Sequence, residues 1–164
     1  MSDTNAMHSD RVVYDPAVRP ELFDGILSKR IVAFVFDAIL IVLLMIPAAL
    51  MIFVLGFITL FLAWLLFPAL FAIVALGYVA LTLGGRGSAT PGMRLVGIEI
   101  RTWNGQPMFP LLAIMHALIF WFSCGILTPL ILLVGLFTPR RQLLHDLLLG
   151  VVAVNSAALY NLGK

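Results

Sequence analysis

The sequence predicts an all-α polytopic membrane protein: a small helical bundle with a short cytoplasmic pair of β-strands. Hydrophobic residues make up 62% of the 164 residues and charged residues only 11%, whereas soluble domains carry about 25% charged residues. Two long stretches, residues 38–85 and 102–139, contain no Asp, Glu, Lys or Arg. A β-branched segment near residue 98 ends in Asn104-Gly105, which is a strong turn signal.

Composition also excludes several classes of function. The net charge of +2 is small and spread along the chain, so no nucleic-acid partner is expected. Cys124 is the only cysteine and cannot form an intramolecular disulfide. The glycine-rich loop at residues 84–94 lacks the Gly-Lys-Ser/Thr ending of a phosphate-binding loop. We therefore expect the lipid bilayer as a partner and no cofactor.

Residues 1–28 are expected to form a cytoplasmic N-terminal tail that is mostly solvated. They mix charged residues with two prolines and show no apolar periodicity longer than a turn. No short apolar core with a small-residue cleavage site opens the chain, so a secretory signal peptide is not expected. Residues 22–27 fit either a short amphipathic segment at the membrane interface or a plain linker.

Two membrane spans are predicted at about residues 29–53 and 59–83, with a turn near residues 55–57. At about 1.5 Å per residue, each is long enough to cross a hydrocarbon core of about 30 Å. Basic residues flank these spans at one end only, which places that end and the N-terminus in the cytoplasm by the positive-inside rule. Trp64 and Tyr78 are expected to be packing residues.

Arg30 and Asp37 stand out in the first span. Seven residues correspond to almost two helical turns, so both side chains share one face, about 10 Å apart along the axis. An aspartate within a span costs about 2.5–3.5 kcal/mol on insertion scales and needs a partner. Because that separation is too long for direct contact unless the arginine reaches inward, a third group is required. Asp146 is the candidate: Arg30 with Asp146 is the better structural pair, and Asp37 the more isolated and more titratable residue.

The loop before the predicted strand carries Thr90-Pro91-Gly92. Proline presets the first central dihedral angle of a turn and glycine supplies a positive one, so a turn is predicted here. In the segment that follows, Val96, Ile98 and Ile100 alternate with polar residues as in a half-buried strand. Its exposed edge needs covering, and we predict that it pairs with residues 150–155.

The third hydrophobic segment, residues 109–138, is long enough for one tilted crossing and too short for two. Residues 123–129 contain the glycine and proline expected of a break. A single crossing would place Arg140 and Arg141 outside the cytoplasm, whereas a shallow hairpin would return them. We favour the hairpin, with residues 140–164 cytoplasmic.

His145 and Asp146 are adjacent near the C-terminus. Such a pair can serve in catalysis or as a proton relay, but neighbours on a helix point about 100° apart. The structural interpretation is that Asp146 pairs with an arginine such as Arg30 or caps a backbone group. No nucleophile with a histidine base is evident, and the histidines are too scattered for a metal motif. We expect neither an enzyme nor a metal site.

Taken together, these elements resemble the RDD family of bacterial membrane proteins over most of the chain, residues 29–164. The elements are Arg30 with Asp37 seven positions later, residues 89–98, residues 104–107 and residues 141–146. The family takes its name from one arginine and two aspartates, which carry over as Arg30, Asp37 and Asp146. Two positions depart from the family pattern: Met93 stands where lysine is typical, and His116 lies near where relatives often carry arginine.

The resemblance implies a bacterial inner-membrane protein that transports an uncertain ligand, with cation/proton antiport proposed for some members. In that hypothesis Asp37, Arg30, Asp146 and His145 bind the ion or couple it to protons, with His116 or His145 as a relay. Two or three spans enclose little of a pathway, so a homo-oligomer or a second membrane protein is expected. The alternative is a scaffold in which Arg30, Asp37 and Asp146 form a structural ion-pair network.

Overall fold

A computed structural model describes the backbone of residues 14–162 and the side chains of residues 14–123 and 138–161. Short 3₁₀ helices occur at Pro20–Leu22 and Leu62–Ala69. The other elements, in chain order, are α1 (Ile26–Ile58), α2 (Leu70–Thr82), α3 (Pro91–Leu95), β1 (Ile98–Thr102), α4 (Pro110–Phe137), α5 (Leu144–Leu149), β2 (Val151–Asn155) and α6 (Ser156–Leu162).

The first helix is longer than the sequence predicts. α1 runs for 33 residues and continues through Gly56, so the turn expected near residues 55–57 is wrong. A Cβ atom on Gly56 would lie 1.8 Å from Trp64 Nε1, so this glycine makes room for the indole ring within the helix. The chain reverses instead at Leu60 and Phe61, which adopt positive φ angles of 50° and 70°.

The second apolar segment begins as a 3₁₀ helix and becomes the α-helix α2 at Leu70, two residues after Pro68. Trp64 stacks on Phe53 with ring centroids 5.9 Å apart and donates to the Phe53 carbonyl oxygen at 3.2 Å. The expected packing role of Trp64 is confirmed. Among the residues that the structure describes, two helical stretches are long and apolar enough to cross a membrane: Pro20–Ile58 and Leu62–Thr82.

The predicted strand pairing is confirmed. β1 and β2 form an antiparallel two-stranded sheet, with Ile98 opposite Asn155 and Thr102 opposite Val151. All five residues of β2 are buried, which explains why its β-branched residues do not alternate with polar ones. Because α4 and α5 lie between the strands in the chain, this sheet brings the two halves of the molecule together.

The N-terminal segment, expected to be mostly solvated, is exposed at residues 17–21 and 24–25 but buried at Tyr14, Leu22 and Phe23; residues 1–13 lie outside the described part. Tyr14, Leu22 and Phe23 are buried in one hydrophobic cluster with both strands. A two-stranded sheet cannot bury its side chains alone, and this segment covers it. The Asn155 side-chain amide, which donates to the carbonyl oxygens of Glu21 and Asp24, fixes the segment to β2. We call residues 14–25 with α3, α5 and the sheet the cap.

The third hydrophobic segment forms one helix, α4, and the helix break favoured at residues 123–129 is absent. A continuous helix satisfies its own backbone hydrogen bonds, which matters in an apolar environment where an open break would leave polar groups unpaired. The segments on either side of α4 nevertheless both reach the sheet. Met108 is buried in the same cluster as Val151, and Gln142 Nε2 donates to Val151 O at 2.7 Å.

Candidate functional site

Asp146 is the centre of the first buried polar cluster. It lies in the first turn of α5, where a carboxylate is favoured by the free backbone N–H groups and the helix dipole. Its Oδ2 accepts a hydrogen bond from Leu143 N at 2.9 Å, so the side chain caps its own helix. The residue is 0% exposed, so the remaining lone pairs must be satisfied by other elements.

Arg30 supplies the counter-charge. Its Nη2 donates to Asp146 Oδ1 at 2.8 Å and its Nη1 donates to Oδ2. The guanidinium reaches the carboxylate from α1, and only 9% of Arg30 is exposed. This two-point geometry is the strongest form of an arginine–carboxylate pair. The partner that the sequence assigned to Arg30 is therefore the one it contacts, and the pair ties α1 to α5.

Two histidines complete the cluster. His116 Nε2 lies 2.9 Å and His145 Nε2 lies 3.5 Å from Asp146 Oδ1, and the two rings meet edge to face with centroids 4.6 Å apart. His145 is 1% exposed, and its Nδ1 has no hydrogen-bond partner among the described residues. The histidines are scattered in the sequence, but the packing of α5 against α4 brings these two together.

The electrostatics of the cluster follow from burial and from the Arg30 charge. Burial alone would raise the pKa of Asp146, but the guanidinium and the His116 hydrogen bond hold that pKa well below its usual range. Burial lowers the pKa of His145 to about 3, against the opposing attraction of Asp146. At neutral pH the carboxylate is therefore ionised and the His145 imidazole is neutral, with a free nitrogen lone pair.

Asp37 belongs to a second cluster. Its Oδ1 accepts from Tyr78 Oη at 2.6 Å and from Gly92 N at 2.8 Å, and its Oδ2 accepts from Thr90 Oγ1. Asp37 is therefore not the isolated carboxylate that the sequence predicts. Because Asp37 is on α1 and Tyr78 is on α2, the Asp37 carboxylate joins α1 and α2 to the start of α3.

The Thr90-Pro91-Gly92 segment starts a short helix, α3, where a turn was predicted. Thr90 Oγ1 accepts from Met93 N at 3.2 Å and caps the helix. A Cβ atom on Gly92 would lie 2.3 Å from Ala33 O and 2.8 Å from Asp37 Cγ. Glycine is thus required at this position because the backbones of α1 and α3 touch there.

The structure therefore divides the predicted site residues between two clusters. Arg30, His145 and Asp146 meet in the first, together with His116; Asp37, Thr90 and Gly92 meet in the second. Tyr78 was expected to be only a packing residue, and its role as a donor to Asp37 was missed. The available signal was its hydroxyl group, because a buried tyrosine O–H usually finds a hydrogen-bond partner.

Comparison with known proteins agrees with the sequence motifs. No significant match is found among curated proteins or among solved structures. The model of the RDD family matches residues 25–150, a range that includes Arg30, Asp37 and Asp146. Since this match covers more than half of the chain, the protein belongs to the RDD family, a family of membrane proteins.

Proposed function

We propose that the protein transports a small cation across the bacterial inner membrane, with protons as the counter-ion. The proposed cation ligands are His116, His145 and Asp146, and Arg30 orients the Asp146 carboxylate. The observation that carries this proposal is the fully buried carboxylate oxygen of Asp146 with two imidazole nitrogens at 2.9 and 3.5 Å. Ionisable residues of this kind in a membrane protein mark ion pathways by default, because apolar residues would cost less.

Asp146 suits this role better than Asp37. The Asp37 carboxylate accepts from three neutral donors, one on α2 and two at the start of α3, so a cation at Asp37 would have to displace the contacts that dock α3. The Asp146 cluster instead offers imidazole nitrogens, which can leave the carboxylate and bind an ion without undocking an element. Of the four residues in the sequence-based hypothesis, the proposed cation site therefore keeps Arg30, His145 and Asp146 and leaves out Asp37.

The proposed topology has the cap and the N-terminus in the cytoplasm. Its two complete crossings are α1 and the helical stretch Leu62–Thr82. Two crossings enclose little volume for an ion pathway, so the transporting unit is a homo-oligomer or includes a second membrane protein. The Asp146 cluster then lies where the cap meets the membrane helices, which is where an ion from the cytoplasm would first reach the bundle.

The second candidate is a scaffold without transport activity. Its support is that both clusters tie separate elements to α1: Arg30 holds α5 through Asp146, and Asp37 holds α3. Breaking a buried ion pair costs about 3–5 kcal/mol, so a purely structural network would also make these residues indispensable. Loss of activity on mutation of Arg30 therefore cannot separate the two candidates.

Flux into proteoliposomes separates them. The purified protein is reconstituted with a pH-sensitive dye inside the vesicles, and Na⁺, K⁺ or Zn²⁺ is added outside. We expect cation-dependent proton movement from the wild type, loss of it in His145→Gln, and retention in Asp37→Asn that elutes as a folded protein. His145→Gln removes the unpartnered nitrogen and keeps both Arg30 and Asp146. It is compared with the wild type only as protein that elutes folded, because His145 is buried and lies 3.5 Å from Asp146.

Two results would contradict the transport proposal. Wild-type vesicles that behave like protein-free vesicles with every cation would favour the scaffold. Folded His145→Gln protein that moves cations at the wild-type rate would remove the Asp146 cluster as the binding site.

A further inference from the structure

We infer that His116, His145 and Asp146 form a binding site for a divalent transition-metal ion such as Zn²⁺ or Co²⁺. This names the cation class of the site in the proposed function, and it rests on that function only for the step in which the bound ion is carried. The binding itself is argued from the three side chains and is tested without transport.

The geometry suits a small, closely coordinated ion. Zn²⁺ binds imidazole nitrogen at about 2.0–2.1 Å and carboxylate oxygen at about 2.0–2.2 Å, so two ligands at tetrahedral angles lie about 3.3–3.5 Å apart. The two nitrogen-to-oxygen distances to Asp146 Oδ1 are 2.9 and 3.5 Å. One ligand atom from each of the three residues can be chosen so that all lie within 4.8 Å of one another. Small side-chain rotations therefore bring the three ligands onto one ion.

The ligand types select the metal. Imidazole nitrogen suits Zn²⁺, Co²⁺, Ni²⁺ and Cu²⁺, whereas Mg²⁺ and Ca²⁺ prefer sites made of oxygen alone. Three protein ligands leave a fourth tetrahedral position for water or another small ligand. An ion in this set would be held less permanently than in a structural site with four protein ligands, which suits an ion that must be released.

An independent observation at the same place is the His145 ring. Its Nδ1 is buried without a hydrogen-bond partner in the described part of the chain, although native proteins pair nearly all such atoms. A metal ion provides this missing partner only when it binds His145 through Nδ1, because an ion bound through Nε2 leaves Nδ1 unpartnered. The neutral state of the imidazole leaves its lone pair available for coordination.

Arg30 shapes the site without binding the metal. Its Nη1 donates to Oδ2 and its Nη2 to Oδ1, which orients the carboxylate in the way an outer partner orients a metal ligand. A metal ion on Oδ1 would therefore share that oxygen with the guanidinium. For His116 Nε2 to coordinate the ion, its proton must reside on Nδ1. The guanidinium charge repels a cation, so we expect weaker affinity than in a site with the same ligands and no arginine.

The test uses the full chain in detergent, purified without a polyhistidine tag and titrated with Co²⁺. We expect one Co²⁺ per chain with visible d–d absorption, and His116→Gln and His145→Gln to weaken binding on the order of 100-fold. His8→Gln is the matched control, because the sequence has three histidines and His8 is the one outside the proposed ligand set. This variant should bind Co²⁺ as the wild type does. Zn²⁺ should raise the thermal midpoint of the wild type and of His8→Gln but not of His145→Gln.

A variant that misfolds does not block the test, because pulsed electron paramagnetic resonance of Cu²⁺ on the wild type counts the coordinating imidazoles directly, and two are expected. Wild-type protein without specific Co²⁺ absorption, a Cu²⁺ spectrum without two imidazoles, or folded His145→Gln with unchanged affinity would overturn the site. If Co²⁺ binds as expected but vesicles carry no cation, the metal site stands and the transport proposal fails. If no metal binds while Na⁺ flux persists, the transport proposal stands and the metal site fails.

Discussion

Asp37 and Asp146 are both buried aspartates, but their partners give them different properties. Asp37 is held by neutral donors, Tyr78, Thr90 and the Gly92 amide. Asp146 is held by the charged guanidinium of Arg30. Asparagine can therefore keep part of the Asp37 network, whereas a neutral replacement at Asp146 leaves the Arg30 charge buried and unpaired.

Replacing Arg30 should be strongly destabilising. Arg30→Met strands the Asp146 carboxylate, and we expect a loss of about 3–5 kcal/mol in the free energy of unfolding, measured by denaturation in detergent. The matched control is Arg19→Met: Arg19 and Glu21 form an exposed pair at 3.6 Å with side chains 45% and 50% exposed, and such pairs contribute at most about 1 kcal/mol. Equal losses in the two variants would show that the Arg30 pair is not a buried interaction.

The low pKa of His145, about 3, makes acid destabilising. Between the unfolded-state pKa of about 6.5 and the folded-state value, the unfolded chain binds a proton at His145 that the folded chain does not, so stability falls as pH falls through this range. Arg30, His116 and Asp146 are the ionisable groups around the ring. The pKa of Asp146 is also lowered, so its contribution is lost only below its unfolded value of about 3.9.

The pH dependence can be assigned to His145 by mutation. The free energy of unfolding of the wild type in detergent should fall as pH is lowered from about 6.5 to about 4, with a slope of up to about 1.4 kcal/mol per pH unit. The thermal midpoint should fall with it. In His145→Gln this drop should be much smaller. Wild type and variant curves that fall in parallel would assign the acid sensitivity to another group.

At the scale of elements, α3 is docked by backbone contact rather than by its own length. It has five residues, too few to be stable alone. Its position depends on Thr90 as a cap, on Asp37 as the acceptor for Gly92 N, and on the absence of a side chain at Gly92. These contacts fix α3 against α1, and β1 begins three residues after α3 ends.

Gly92→Ala should undock α3. The added methyl group would meet Ala33 O at 2.3 Å. Overpacking of this kind lowers the free energy of unfolding by about 1–3 kcal/mol or more. We expect a lower thermal midpoint and a broader gel-filtration peak. Gly77→Ala is the control, because a Cβ atom there meets nothing within 4 Å and alanine is favoured in a helix. A Gly92→Ala protein as stable as Gly77→Ala would contradict the close approach of α1 and α3.

At the scale of the whole molecule, the sheet determines which segments share one side. β1 follows α3 and β2 follows α5, and their pairing places the segment that precedes α4 beside the segment that follows α5. Arg140 stacks over the Trp103 ring at 6.0 Å, so the segment after α4 returns to the strand that precedes it. Leu60, in the loop at the far end of α1, is 84% exposed.

Cysteine labelling in cells tests this arrangement. In a Cys124→Ala background, Arg86→Cys and Arg140→Cys should react only with membrane-permeant reagent, whereas Leu60→Cys should react with an impermeant reagent from outside. This expectation follows from the proposed topology, in which the positive-inside rule keeps the basic residues on the cytoplasmic side. If Arg140→Cys were labelled from outside and Arg86→Cys only from inside, the two segments would lie on opposite sides of the membrane. That result would contradict the pairing of β2 with β1.

Several features follow from local sequence alone. The two long apolar helices depend on composition and length, and the strands depend on β-branched stretches beside a turn signal. The pair of Arg30 with Asp146 could also be inferred, because an arginine and an aspartate in an apolar chain each require a partner. The family assignment rests on the same residues.

Only the tertiary structure placed His116 against His145, assigned Tyr78 and Gly92 to Asp37, and buried Tyr14 beside the sheet. These contacts join residues far apart in the chain, and they depend on how helices pack rather than on the preference of any segment. Hydrophobic periodicity states which face is apolar, but it does not state which polar group on another element that face will meet. For this protein, the sequence determined that buried charges must be paired and indicated Asp146 as the partner of Arg30, whereas only packing decided which neutral donors hold Asp37 and which histidines lie beside Asp146.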